Sequence, residues 1–302
     1  MEDPRVDRLA GLLVEHSTQV GPGHRVVIEA EPPAEPLVKA LARRILRAGG
    51  HPHPLINLPG LDAMYLAEAN PDQLDFIPTF QRMAYETFEA RIRIQSSSNT
   101  KALSQVDEGR MARRNKAMQP ILQAQMERGA RQELRWVTTL FPTEAYAQDA
   151  EMSLAEYEDL FYRACQVHDG ASDPAAVWRE IKVRQTRIIE AIEGHDRLAV
   201  RGPSCDLSLS IRGRKFKNSH GLHNMPDGEI YTAPVEDSVD GWVRFSYPAI
   251  WQGREVEGVE LRFEDGKVVQ ATARKNEAFL LKMLDSDEGA RRLGEFAVGT
   301  NP

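Results

Sequence analysis

Long apolar runs are missing from this 302-residue chain. The most apolar stretches, such as residues 9–14 with a glycine inside, fall far short of the ~20 residues a membrane-crossing helix needs, so no membrane span is expected. Cysteine is nearly absent: Cys165 and Cys205 are the only two, one in a helical stretch and one after a Gly-Pro turn. That argues against a disulfide framework and fits a reducing cytoplasm. The opening MEDPRVDRLA lacks the basic start, apolar middle and small-residue cleavage site of a secretory signal, so export is not expected. Excess positive charge is lacking too. A formal charge of -7 gives no general attraction to phosphate backbones, and the one basic cluster, residues 110–116, follows Asp107 and Glu108 and reads as a solvated helix face, so no nucleic-acid partner is expected. Repeats, low-complexity tracts and heptads are absent. What is present is the balance of a folded soluble protein, 41% hydrophobic and 27% charged, in a chain long enough for two domains of ordinary size.

The first half alternates helix and strand signals. An amphipathic run over residues 6–20 is followed by the apolar HRVVIEA, a helix over 36–48 closed by Gly49-Gly50, and HPHPLINL. Further strands are expected at ARIRIQS and RWVTTLFP, around a long helix over 101–131 that contains Pro120. Short apolar strands between helices predict an open α/β domain with a mostly parallel sheet, residues 1–190. Two helices follow in 153–194, one opened by the capping box Ser153/Glu156 and one by Asp173-Pro174. After Asp196 the period becomes two, in DRLAVRGP, DLSLSIRGR, GEIYTAP, GWVRFSYP and VEGVELRFEDGKVVQATA, where Asp265-Gly266 predicts a tight hairpin. This predicts a strand-rich α+β domain over 191–302. It breaks off after the strand candidate LGEFAV, leaving a sheet edge with nothing behind it, so the domain is expected to be incomplete.

Few stretches suggest chemistry. Gly21-Pro22-Gly23 precedes a strand and lacks a lysine, so it reads as a turn and not a phosphate loop. His51 and His53 share a strand face, but no cysteine or carboxylate completes a metal set. No Gly-x-Ser-x-Gly elbow occurs, and Ser204 beside Cys205 has no activating context. The most unusual segment is residues 216–234, FKNSHGLHNMPDGEIYTAP. There Glu229 could bind a hard or borderline cation, with His220 and His223 as ligands or donors behind them; the plainer alternative is an ordinary Pro226-Asp227-Gly228 turn followed by a surface acid. Glu295 carries the same ambiguity, and would be costly to bury unless paired or metal-bound. Glu255, Glu257 and Glu260 read as ordinary strand acids.

Along Asp206-Leu207, Ile211-Arg212-Gly213-Arg214, Asn224-Met225-Pro226-Asp227-Gly228-Glu229, Phe263-Glu264-Asp265-Gly266-Lys267-Val268-Val269 and Leu293-Gly294-Glu295-Phe296-Ala297-Val298-Gly299-Thr300-Asn301, the chain resembles the aminopeptidase T and aminopeptidase S family of metallopeptidases. The resemblance covers essentially the whole length. It implies a hydrolase that removes N-terminal residues from short peptides using two divalent ions, zinc, cobalt or magnesium. The family's ions are held by two glutamates, matched here by Glu229 and Glu295, and then by a histidine, a tyrosine and a His-x-Asp pair that follow the Gly-Thr-Asn turn and lie past Pro302. His220, His223, Asn224 and Asp227 are candidate outer partners of the ligands, and the resemblance also implies a homodimer built through the first domain. No general base is assigned. Two other functions remain open: a non-catalytic α/β protein holding a small ligand at the carboxyl ends of its strands, and an inactive dimer partner.

Overall fold

The computed structural model describes residues 3–251 and 254–301. Elements follow in chain order as α1 (Pro4–Leu12), β1 (Arg25–Ala30), α2 (Glu35–Arg47), β2 (His51–Ile56), α3 (Leu61–Glu68), α4 (Pro71–Asp75), α5 (Thr79–Thr87), β3 (Ala90–Gln95), α6 (Glu108–Ala130), β4 (Arg135–Leu140), α7 (Glu144–Asp149), α8 (Leu154–Ala164) and α9 (Pro174–Ile192). Strands β1 to β4 are parallel throughout, in the order β2-β1-β3-β4. That is the arrangement expected of short apolar strands joined by helical crossovers. Leu9, Leu13, Ile28, Leu41, Ile92, Val137 and Trp178 are fully buried in one core around this sheet, and the Trp178 indole N–H donates to the Cys165 carbonyl at 3.1 Å.

Beyond α9 come β5 (Arg197–Gly202), β6 (Cys205–Ser210), β7 (Lys217–Ser219), β8 (Asn224–Met225), β9 (Glu229–Thr232), β10 (Asp240–Arg244), β11 (Ala249–Trp251), β12 (Arg254–Val256), β13 (Glu260–Glu264), β14 (Lys267–Thr272), α10 (Glu277–Leu284) and β15 (Phe296–Gly299). An antiparallel sheet runs β14-β13-β10-β6-β5, and a second, three-stranded one runs β15-β9-β7. Leu209, Ile211, Phe216, Ile230, Val239, Phe263 and Val268 form their core. The expected hairpin joins β13 to β14 with Glu264 opposite Lys267. Asp265 and Gly266 both have positive φ, 47° and 77°, as a tight turn matched to strand twist requires. A Cβ at position 266 would lie 1.8 Å from the Glu236 carbonyl oxygen, so only glycine fits.

Two compact units result, and they are not contiguous. One holds residues up to 181 with 220–228 and 301; the other holds 182–219 and 229–300. This departs from a single division into 1–190 and 191–302. The reason is β8, which pairs with β4 as the fifth parallel strand (Thr138 opposite Asn224, Thr139 opposite Met225) and so returns residues 220–228 to the first unit. Helix α9 carries the chain from the first unit into the second. Helices α3, α4 and α5 and the late start of α6, at 108 and not 101, are further departures from the sequence expectation.

Candidate functional site

Glu229 is the first residue of β9, and Glu295 immediately precedes β15. These strands pair antiparallel, with Gly299 opposite Glu229, Val298 opposite Ile230, Ala297 opposite Tyr231 and Phe296 opposite Thr232. Directly opposed residues of an antiparallel pair point to the same side, and sides alternate along each strand. Ile230, Thr232 and Phe296 therefore face the core of the second unit, where Ile230 is fully buried. Glu229, Tyr231 and Ala297 face the other way. Glu295 lies one residue before this ladder, where the same alternation, if continued, would put it on the side of Glu229. About four residues of strand, on the order of 13 Å, separate the two along the ladder. Glu295 is exposed and Glu229 half-buried, so the burial cost anticipated for an inward Glu295 does not arise.

The histidines and polar residues before Glu229 belong to the first unit, where each has a structural role. The His220 carbonyl bonds His16 Nε2 at 2.9 Å. His223 stacks on the Trp136 ring, centroids 4.4 Å apart, and its Nδ1 lies 3.2 Å from the Trp136 carbonyl. Asn224 opens β8. The Asp227 carboxylate accepts from the Gly221 N–H at 2.7 Å and the Gly228 N–H at 2.9 Å, a chain of bonds that fixes the turn. Asn301 closes the same turn: its backbone N–H donates to the Gly228 carbonyl at 3.2 Å, and its side-chain amide donates to the carbonyls of Asp227 at 2.8 Å and Ala164 at 3.0 Å. Gly228 has φ +119°, and a Cβ there would lie 2.5 Å from Asn301 Cβ, so glycine is required by both conformation and space. The two sequence stretches around Asn224–Glu229 and Leu293–Asn301 are thus adjacent in the fold.

The other candidates have ordinary partners. His53 packs on Phe88 with ring centroids 4.8 Å apart. Glu257 pairs with Arg274 and with Lys275 (3.0 Å), Glu255 with Lys275 (3.2 Å) and Glu260 with Arg244 (2.8 Å). Among the described residues no group of three or more His, Cys, Asp or Glu side chains is gathered closely enough to hold a metal ion.

Gln185 was not singled out from the sequence. It lies on α9 in line with the buried Trp178, Ile181 and Ile189, an i, i+3, i+7, i+11 apolar stripe interrupted by one amide. That interruption is the signal the sequence offered. Its Nε2 donates to the Ser219 carbonyl at 2.7 Å, the Thr300 hydroxyl at 2.9 Å and the Glu229 carbonyl at 3.2 Å.

A sequence model of the family described as thermophilic metalloprotease (M29) matches residues 2–302. Aminopeptidase T of Thermus aquaticus is 30% identical over 319 residues, covering 97% of this chain and 76% of the relative. The structure of wild-type AmpT from Thermus thermophilus superposes with a TM-score of 0.83 at 26% identity, over 98% of this chain and 78% of that one. A 2,5-dihydroxypyridine dioxygenase from Pseudomonas putida shares the fold, with a TM-score of 0.53 at 11% identity over 97% of this chain and 76% of that one. Because a fold of this kind hosts different chemistries, function has to be argued from the site and the family.

Proposed function

The chain belongs to the thermophilic metalloprotease (M29) family, and from that membership we propose that it is an aminopeptidase that releases N-terminal residues from short peptides with two divalent ions. Hydrolysis of peptide bonds with a metal follows from the family; the pair of ions and the choice among zinc, cobalt and magnesium belong to the proposal. The observation that supports it is the pairing of β9, which begins at Glu229, with β15, which begins one residue after Glu295. Carboxylates are suitable oxygen donors for such cations. Ions held there supply Lewis-acid polarisation of the scissile carbonyl and make water acidic enough to attack near neutral pH.

The chain's own residues do the rest. Glu229 and Glu295 bring two negative charges to an accessible strand face, and the half-buried start of β9 limits the directions open to the Glu229 carboxylate. In this reading His220, His223, Asn224 and Asp227 act through the turn that leads into Glu229 and not through ligand contacts.

The test is release of amino acids from di- and tripeptides by the protein as its gene encodes it, before and after chelation. Activity should fall to background with the chelator and return on adding Zn²⁺, Co²⁺ or Mg²⁺. Hydrolysis indifferent to the chelator would reject the reading. A homodimer is part of the proposal, and a monomeric mass in light scattering would remove it.

A further inference from the structure

The three strands β7, β9 and β15 end level with one another: Ser219 pairs with Glu229 and Glu229 pairs with Gly299. At that end stands the fully buried Gln185 amide. One NH₂ group reaches the carbonyl of Ser219, the carbonyl of Glu229 and the hydroxyl of Thr300, the residue just past Gly299. A single side chain therefore ties all three strands at the row that contains Glu229. The orientation of the amide is set by chemistry, since turning it over would point its oxygen at two carbonyls that can only accept.

The other half of the amide has no such partner: Gln185 Oε1 is buried without a hydrogen bond. An apolar side chain of similar length would remove that unmet acceptor but would take the donor from the Ser219 and Glu229 carbonyls and the Thr300 hydroxyl, so the glutamine carries the cost of one unmet oxygen in exchange for three bonds at this row. What a methionine or leucine could not supply is the NH₂ group that holds the Ser219 and Glu229 carbonyls and the Thr300 hydroxyl.

We propose that Gln185 is a positioning residue for the metal site. By holding the Glu229 carbonyl and its neighbours on β7 and after β15, it fixes the backbone from which the Glu229 carboxylate projects, and it touches neither ion nor substrate. The proposal rests on the reading of Glu229 as a ligand. Side chains that orient ligands typically change metal affinity ten- to a hundredfold when removed.

The experiment compares Gln185→Met and Glu229→Gln in the full-length protein by Co²⁺ titration, following calorimetry and the visible absorption of bound cobalt, with thermal unfolding alongside. Gln185→Met should unfold at a lower temperature than wild type, because buried acceptors lose their donor, yet remain folded at the titration temperature, weaken Co²⁺ binding about tenfold or more and alter the cobalt absorption bands. Glu229→Gln should abolish binding at that site. Unchanged affinity and spectrum in Gln185→Met, with binding lost in Glu229→Gln, would overturn the positioning role alone. Unchanged cobalt binding in Glu229→Gln would overturn the ligand assignment itself. A measurement on the wild-type protein needs no variant: the Gln185 side-chain NH₂ resonances, in ¹⁵N-glutamine-labelled protein, should shift over the same Zn²⁺ range that saturates the site, and resonances that stay fixed through saturation would count against the proposal.

Discussion

Replacing Glu29 by glutamine is expected to destabilise the first unit by about 3–5 kcal/mol, the usual cost of removing one partner of a buried ion pair. Glu29 lies on β1, opposite Arg93 of β3, and only 5% of it is exposed. Its carboxylate accepts from Arg91 Nε at 2.8 Å, Arg93 Nε at 3.0 Å and the Tyr85 hydroxyl at 3.0 Å. Arg91 is itself 2% exposed, so a neutral amide at position 29 leaves a buried guanidinium without its countercharge. The double substitution Glu29→Met, Arg91→Met should cost much less than the sum of the single ones, because both charges leave the interior together.

The pH dependence has a definite sign. Burial alone would raise the Glu29 carboxyl, but Arg91 and Arg93 outweigh it and hold the group below the ordinary glutamate value. A depressed folded value adds stability above the unfolded carboxylate's pKa of about 4.3, and that stability is lost as pH falls through the folded value. The wild-type protein should therefore lose more stability than Glu29→Gln between pH 6 and pH 3. Urea unfolding at several pH values checks this. A Glu29→Gln variant within 1 kcal/mol of wild type at pH 7 would show that the charge is not structurally required.

Strands β1, β3 and β4 were legible because each is a short apolar run between helical signals, and the β13–β14 hairpin because Asp-Gly has few alternatives as a two-residue turn. The three short helices between β2 and β3 were not read, although Asn70-Pro71-Asp72-Gln73 carries a capping box that the structure forms in full. Prolines 59, 71 and 78 break the segment into pieces too short for a helical period to show. Strand β8 could not be read at all. Two residues carry no pattern, and their pairing with β4 joins positions more than eighty apart in the chain. The candidate ligands fall between these cases. Their residue type and turn context were visible locally, but their common side depends on the β9–β15 register, which no local rule supplies.

Glu229→Gln and Glu295→Gln should each lower metal-dependent peptide hydrolysis by more than about a hundredfold, beyond the range typical of outer partners of a metal ligand. Glutamine keeps the shape and hydrogen-bonding reach of the side chain but removes the negative charge that makes it an effective cation donor. Folding should be little affected. Glu295 is exposed and Glu229 half-buried, and surface changes of this kind stay within about 0.5 kcal/mol. The double variant should be no worse than the poorer single one, since residues that act as a unit in catalysis do not contribute additively. If each carboxylate holds its own ion, each single variant should retain one equivalent of Zn²⁺ by elemental analysis while losing turnover. Loss of both equivalents in either variant would point to one shared site. Turnover within two- to threefold of wild type in either variant would exclude that residue as a ligand, and the same result in both would leave β9 and β15 without a catalytic role.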